Sequence, residues 1–131
     1  MISGIDHVVL VVKDIPTALA FYSDVLGLEV LGEAEWRRGE RRFPSLKVGA
    51  TNMLNVHDPS YPDAALNPQP GSEDLCFVWE GPIENAVTRL QSRGVAIEVG
   101  PVKRRGARGV MGTSVYFRDP DGNLIELMSY Q

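Results

Sequence analysis

The chain has 131 residues, of which 44% are hydrophobic and 23% charged, and its formal net charge is −4. This length corresponds to one ordinary domain and excludes two large independent ones. The excess of acidic over basic residues argues against binding to duplex nucleic acid, which requires a dominant basic surface. Small molecules or other proteins remain as partners.

The hydrophobic residues form only short runs. None exceeds five residues, the length of Val8 to Val12 and of Leu75 to Trp79, whereas a membrane-spanning helix needs roughly 20. Asp6 precedes the first basic residue, Lys13, and this is not the pattern of a secretory signal. The single cysteine, Cys76, cannot form a disulfide within the chain. We therefore expect a cytoplasmic protein that is not embedded in a membrane.

The chain contains an internal repeat. A strand pattern begins at His7 and again 67 residues later at Asp74, and in both copies a glycine follows after 20 residues. Each copy continues with a segment of helical spacing and then with three short strands. We therefore predict an α+β fold of two paired βαβββ modules within one domain, 1–131. The modules span 4–57 and 74–129, and a proline-rich linker, 58–73, joins them.

The helices are predicted from their hydrophobic spacing and their end signals. Asp14 suits an N-cap, and Pro82 suits the first position of a helix. The hydrophobic stripes are Ile15, Leu19, Tyr22 and Leu26 in the first helix and Ile83, Val87 and Leu90 in the second. The strands that follow the helices are predicted at 28–36, 42–48, 51–57, 95–99, 113–118 and 123–129.

Alternate residues of the predicted strands differ in polarity. In the first and fifth strands, at 53–57 and at 114–118 and 124–128, one parity is hydrophobic and the other carries the ionisable and amide groups. Because successive side chains of a strand point to opposite faces, we expect the hydrophobic set to pack under the helices and the polar set to line one concave surface. The candidate functional residues on that surface are His7, Asn55, His57, Asp74 and Glu126.

These residue types point to a metal. Imidazole and carboxylate groups suit Zn, Mn, Fe, Co or Ni, and three protein ligands with open positions suit a catalytic metal. A single strand histidine is more often a hydrogen-bonded core or surface residue. The repeat strengthens the metal hypothesis, because His7 corresponds to Asp74 and Asn55 corresponds to Glu126.

Two motifs, HVVLVVKDIPTALAFYSDVLGLEV and VYFRDPDGNLIEL, lie near the two ends of the chain. They resemble the vicinal oxygen chelate superfamily, which includes glyoxalase I, extradiol dioxygenases, fosfomycin-resistance enzymes and bleomycin-binding proteins. The segments LNVHDPS and NPQPGSEDLCF are similar, more narrowly, to the glyoxalase domain-containing protein 5 group. The resemblance covers nearly the whole chain. It implies a cup-shaped, partly closed eight-stranded sheet with one main helix per module, and a homodimer.

The resemblance also implies a site in which His7 and Glu126 bind a divalent metal, and the metal binds two adjacent oxygens of a substrate. Many metal-dependent members have histidine where Asp74 stands; a carboxylate as third ligand favours harder metals such as Mn or Mg. His57 is the alternative third ligand, which would give the two histidines and one carboxylate of an iron site. Asn55 replaces the glutamate that glyoxalase I uses to move protons, and this difference argues against glyoxalase I activity itself.

Two further features adjoin the expected site. Tyr116 matches a tyrosine that contacts phosphonate in fosfomycin enzymes, and the alternative is an ordinary aromatic strand residue. Segment 100–112 contains four glycines and four basic residues, which are Lys103, Arg104, Arg105 and Arg108. It is interpreted either as a mobile solvated loop or as a loop that closes over an anionic substrate. Cys76 shares the parity of Asp74, and a small buried hydrophobic role is the better interpretation.

The leading hypothesis is a metal-dependent lyase, isomerase or transferase that acts on a small anionic molecule. His57, Tyr116 and Glu126 would take part in the chemistry, and the metal would be Mn, Fe, Zn, Ni, Co or Mg. The substrate would contact Asn55, Arg104, Arg105 and Arg108. An Fe(II)-dependent dioxygenase of the extradiol type is one alternative. A metal-free binding protein of the bleomycin-resistance type is the other.

Overall fold

The computed structural model describes residues 1–131. The chain forms two compact units, a first unit, Met1–Gly71, and a second unit, Ser72–Gln131. The division falls inside the proline-rich segment 58–73, which contains no helix or strand. None of the helices has the length and hydrophobicity needed to cross a membrane.

Each unit is built on a four-stranded mixed sheet. The elements of the first unit are β1 (His7–Val11), α1 (Ile15–Asp24), β2 (Glu29–Leu31), α2 (Glu33–Arg37), β3 (Ser45–Val48) and β4 (Asn52–His57). Those of the second unit are β5 (Asp74–Val78), α3 (Ile83–Ser92), β6 (Val99–Arg105), β7 (Met111–Arg118) and β8 (Leu124–Ser129). The strand orders are β1-β4-β3-β2 and β5-β8-β7-β6. The α+β class is therefore confirmed.

The two sheets repeat each other residue for residue around one position. In the first sheet Asn55 on β4 pairs with Val9 on the parallel strand β1 and with Ser45 on the antiparallel strand β3. In the second sheet Glu126 on β8 pairs in the same way with Cys76 on β5 and Tyr116 on β7. The equivalence of Asn55 and Glu126 inferred from the sequence repeat is therefore a structural one.

Helices α1 and α3 form where the hydrophobic stripes predict them. The side chain of Asp14 accepts a hydrogen bond from the backbone N–H of Thr17 at 3.0 Å, as an N-cap does. Pro82 is the N-cap of α3 rather than its first residue, because its extended backbone lies just outside the helix. The buried residues of the two helices are Ile15, Ala18, Leu19, Tyr22, Ile83, Ala86 and Leu90.

The predicted polarity of the two strand parities is also confirmed. The hydrophobic parity is buried, and its members include Leu10, Leu46, Leu54, Val56, Val115, Phe117, Ile125 and Leu127. Helix α3 packs on β7 and β8 of the second sheet. One face of each sheet is therefore committed to the core, and the other carries the candidate functional residues.

The predicted strand 28–36 is wrong in its second half. The strand β2 ends at Leu31, and residues 33–37 form the short helix α2. Gly32 turns the chain at this point, because its φ of +73° is a conformation that side chains other than glycine disfavour. Glutamate and alanine then favour a helix, and Glu33 pairs with Arg37 one turn later at 3.5 Å.

The interpretation of 100–112 as a loop is wrong as well. Strand β6 runs over Val99–Arg105, beyond the predicted 95–99, and pairs with β7 through pairs such as Lys103 with Thr113. The turn is short, and the N–H of Gly109 donates to the carbonyl of Gly106 at 3.0 Å. The basic residues therefore lie on a β-hairpin, because the backbone of 102–105 pairs with β7 after a register shift between Val99 and Val102.

Candidate functional site

The polar face of the first sheet begins with His7, the first residue of β1. Its side chain is half-exposed, and its Nδ1 lies 2.8 Å from Oδ1 of Asp6. A carboxylate on one ring nitrogen fixes the orientation of the ring and leaves the other nitrogen, Nε2, as the available ligand atom. Metal-binding histidines are commonly oriented in this way.

A chain of hydrogen bonds crosses the same sheet and ends at Asn55. Nη2 of Arg41 donates to Oγ of Ser45 at 2.9 Å, and Oγ of Ser45 donates to Oδ1 of Asn55 at 2.8 Å. Nε of Arg41 also donates to the carbonyl of Phe43 at 2.8 Å. A Cβ at Gly32 would overlap the guanidinium of Arg41, so Arg41 lies in space that only glycine leaves open.

His57, the last residue of β4, lies between two aromatic rings. Its ring centroid is 4.4 Å from that of Phe43 and 3.9 Å from that of Tyr61. The residue is buried, and its Nε2 has no hydrogen-bond partner. Burial lowers the pKa of His57, an effect that Asp58 opposes and His7 reinforces. His57 is therefore an enclosed neutral imidazole.

The lowered pKa of His57 predicts a pH-dependent stability. The unfolded chain, in which the pKa stays near 6.5, takes up a proton more readily than the folded one, so the free energy of unfolding falls as the pH drops below that value. Replacing His57 with phenylalanine keeps a ring in the stack and removes the titration. Urea unfolding is measured at pH 7.5 and pH 5.5. Between these pH values the free energy of unfolding is expected to fall less in His57→Phe than in wild type. Equal losses in the two proteins would contradict this.

The polar face of the second sheet is centred on Glu126. One carboxylate oxygen, Oε1, is buried and has no hydrogen-bond partner. On the neighbouring strand the hydroxyl of Tyr116 accepts a hydrogen bond from Nε of Arg104 at 3.2 Å. Burial raises the pKa of Tyr116, Arg104 opposes the rise, and a hydrogen bond to Glu126 adds to it. Tyr116 therefore stays protonated, and it lies beside Glu126 in the register of β7 and β8.

Cys76 lies on the other side of Glu126, on β5. Burial, assisted by the charge of Glu126 and a hydrogen bond to it, raises the pKa of the thiol to about 12. The group is thus a neutral thiol at physiological pH and not a thiolate, which is the form that binds metals. The residue as a whole is exposed, so the small buried role expected for Cys76 from the sequence is wrong.

The remaining predicted residues lie in different surroundings. Asp74 is exposed at the start of β5. Among the basic residues of the hairpin, Arg104 contacts Tyr116, whereas Arg105 donates to the carbonyl of Gly109 and the guanidinium of Arg108 lies 4.4 Å above the ring of Tyr130. The structure therefore brings only one of the three predicted arginines next to Tyr116 and Glu126.

The residues that contact Asn55 and His57 were not predicted from the sequence. Ser45 was detectable, because the repeat places it at the position of Tyr116. Arg41, Phe43 and Tyr61 lie outside the strands and have no periodicity that marks them. Their contacts depend on how the chain returns to the sheet.

The donor chemistry of the two polar faces fits a divalent metal. Within neither unit do three or more His, Cys, Asp or Glu side chains gather as a metal-binding group. Two features nevertheless suit a cation: Glu126 has a buried oxygen without a partner, and His7 is oriented by Asp6. A buried carboxylate oxygen is costly unless a donor or cation satisfies it.

Comparison with known proteins assigns the chain to a family. Residues 4–127 match the Glyoxalase/Bleomycin resistance protein/Dioxygenase superfamily. The chain belongs to this superfamily, as the resemblance of its motifs implied.

Several relatives cover nearly the whole chain. Virulence protein STM3117 of Salmonella typhimurium is 41% identical over 99% of this chain and 86% of its own length, and its crystal structure matches with a TM-score of 0.89 over 100% of this chain and 99% of that one. Glyoxalase domain-containing protein RDO1 of Mycosarcoma maydis is 41% identical over 99% of this chain and 70% of its own length. Metallothiol transferase FosB of Shouchella clausii is 29% identical over 97% of this chain and 80% of its own.

Proposed function

We propose that the chain is a divalent-metal-dependent enzyme that acts on a small anionic substrate through two adjacent oxygens of that substrate. His7, Asp74 and Glu126 are the proposed ligands. The observation that carries the proposal is the buried, unpartnered Oε1 of Glu126. The name of the relative FosB, a metallothiol transferase, supports the same class of chemistry. From the family we also expect a homodimer.

Asp74 is preferred over His57 as the third ligand because of the surroundings of the two side chains. Asp74 is exposed, so its carboxylate is accessible to a cation. His57 is 5% exposed and covered by Phe43 and Tyr61. We therefore assign His57 a role in holding the polar face of the first sheet, and His7 supplies the one imidazole ligand.

When bound, the metal supplies Lewis-acid polarisation of the substrate oxygens. The protein supplies the rest. Tyr116, protonated because of its raised pKa, donates a hydrogen bond, and Arg104 provides a positive charge beside it at 3.2 Å. Asn55 provides an uncharged amide on the first sheet. This set suits the binding of an oxyanion and the stabilisation of developing negative charge.

Metal titration tests the proposal. Protein stripped with chelator is titrated calorimetrically with Mn²⁺, Fe²⁺, Zn²⁺ and Ni²⁺, and we expect one metal per chain for at least one of them. His57→Phe is expected to retain this stoichiometry. Asp74→Ala is expected to bind the metal with lower affinity. Failure of wild type to bind any of the four would overturn the proposal and favour a metal-free binding protein. Oxygen uptake with catechol in the Fe²⁺ form alone would instead favour the dioxygenase.

A further inference from the structure

The polar faces of the two sheets each place a guanidinium beside a hydroxyl at the same register position. In the first sheet a chain of hydrogen bonds runs from Arg41 to Ser45 and on to Asn55. In the second sheet Arg104 donates to Tyr116, whose register partner on β8 is Glu126. Ser45 and Tyr116 occupy the same register position relative to the last strand. In both sheets a guanidinium therefore donates to the hydroxyl that lies beside the residue on the last strand.

The direction of the first chain is fixed by its donor. A guanidinium has only N–H groups and cannot accept, so the oxygen of Ser45 must accept from Arg41. In the structure the hydroxyl of Ser45 donates its proton to the amide oxygen of Asn55, Oδ1, at 2.8 Å. In this orientation the amide oxygen accepts from Ser45, and the NH₂ group makes no hydrogen bond within the chain.

The two equivalent positions thus present opposite chemistry. At Glu126 the free group is a carboxylate oxygen, which accepts hydrogen bonds or binds a cation. At Asn55 the free group is a pair of N–H donors, because Ser45 holds the oxygen. The NH₂ nitrogen has no lone pair available for coordination, so this group can donate hydrogen bonds and cannot bind a metal.

We propose that Arg41 and Ser45 are positioning residues that hold Asn55 as a hydrogen-bond donor to an acceptor oxygen of the substrate. The inference rests on the proposed function, since it assumes that the polar faces bind the substrate, and it specifies the substrate class. The substrate carries an anionic or carbonyl oxygen that contacts the NH₂ group of Asn55. A ligand that presents only donors at this point is disfavoured.

Oxalate, a dianion with adjacent oxygens, is a suitable probe. Binding of oxalate to metal-free and metal-loaded protein is measured by calorimetry, and the side-chain NH₂ signals of Asn55 are followed by ¹⁵N NMR. Oxalate is expected to shift these signals in wild type. Asn55→Asp still accepts from Ser45, so its melting temperature should hold, but it replaces two donors with a negative charge. We expect it to bind oxalate about 10-fold more weakly or worse.

Ser45→Ala tests the positioning role. It leaves the donors of Asn55 in place but frees the amide to turn over, so the NH₂ signals are expected to move even without oxalate, and oxalate binding is expected to weaken. Met53→Leu, on the same face of β4, is the matched control and should behave as wild type in both measurements.

The outcomes separate the inference from the proposed function. If wild type binds no metal but oxalate still shifts the Asn55 signals, the proposed function is overturned and the inference is supported. The inference alone is overturned if wild type binds metal and Asn55→Asp binds oxalate as tightly as wild type does. It is also overturned alone if wild type binds metal and oxalate leaves the Asn55 signals of wild type unmoved. Absence of oxalate binding by wild type in both metal states would overturn the inference as well.

Discussion

Replacing Glu126 with glutamine is expected to weaken metal binding by at least about 100-fold, since loss of a ligand exceeds the 10- to 100-fold cost of losing an outer partner. The same change is expected to stabilise the metal-free protein by about 1 kcal/mol, because it removes a charge whose Oε1 is buried without a partner. Glutamine keeps an acceptor for Tyr116. The combination of weaker binding and higher stability distinguishes a ligand from a structural carboxylate.

Metal titration and urea unfolding of the metal-free protein measure the two effects. Glu80→Gln removes an exposed carboxylate of the second unit and serves as the control, with neither effect expected. If Glu126→Gln lowers the free energy of unfolding and leaves metal affinity intact, Glu126 is a structural residue and the proposed ligand set is wrong.

Replacing Gly100 with alanine is expected to lower the free energy of unfolding by about 3 kcal/mol. Gly100 has a φ of +105°, and a Cβ there would overlap the carbonyl oxygen of Ser114 and lie 3.0 Å from the Cα of Val115. Both of these contacts are backbone atoms of β7, which cannot rotate away. The change would disturb the β6–β7 hairpin that carries Arg104.

Gly94→Ala is the matched control. Its φ is +71°, but no atom lies within 4 Å of the Cβ position, so alanine is expected to cost only about 1 kcal/mol. Chemical denaturation of the three proteins gives the comparison. Equal losses in the two variants would show that backbone conformation alone, and not the approach of β7, sets the requirement for glycine at Gly100.

The fold was predictable because its signals are local and occur twice. Neighbouring residues alone determine the strand alternation around Asn55 and Glu126 and the helical spacing after Asp14 and Pro82. Because the chain contains a repeat, each pattern occurs twice and each copy supports the other. Helix α2 was missed because a single turn after Gly32 leaves no periodicity to detect. The start of β6 was misplaced because a strand with three basic residues, one glycine and one proline does not show the hydrophobic alternation of a core strand.

The candidate site was predictable only in part, for a related reason. Residues on strands, such as Tyr116, are placed by parity, so their common face followed from the sequence. Arg41 lies between α2 and β3 and reaches Ser45 only because Gly32 leaves room for its guanidinium. Such a contact depends on the path of a loop, and no pattern in the sequence encodes that path.

The arginine–hydroxyl pairs of the two sheets also indicate how two copies of one segment come to have different functions. Since a guanidinium donates to a hydroxyl at the same register position in both copies, the residue beside that hydroxyl can change without the rest being rebuilt. One copy ends in an amide, Asn55, and the other in an acid, Glu126. Divergence at one position per copy is thus sufficient to turn two like halves into a donor and an acceptor.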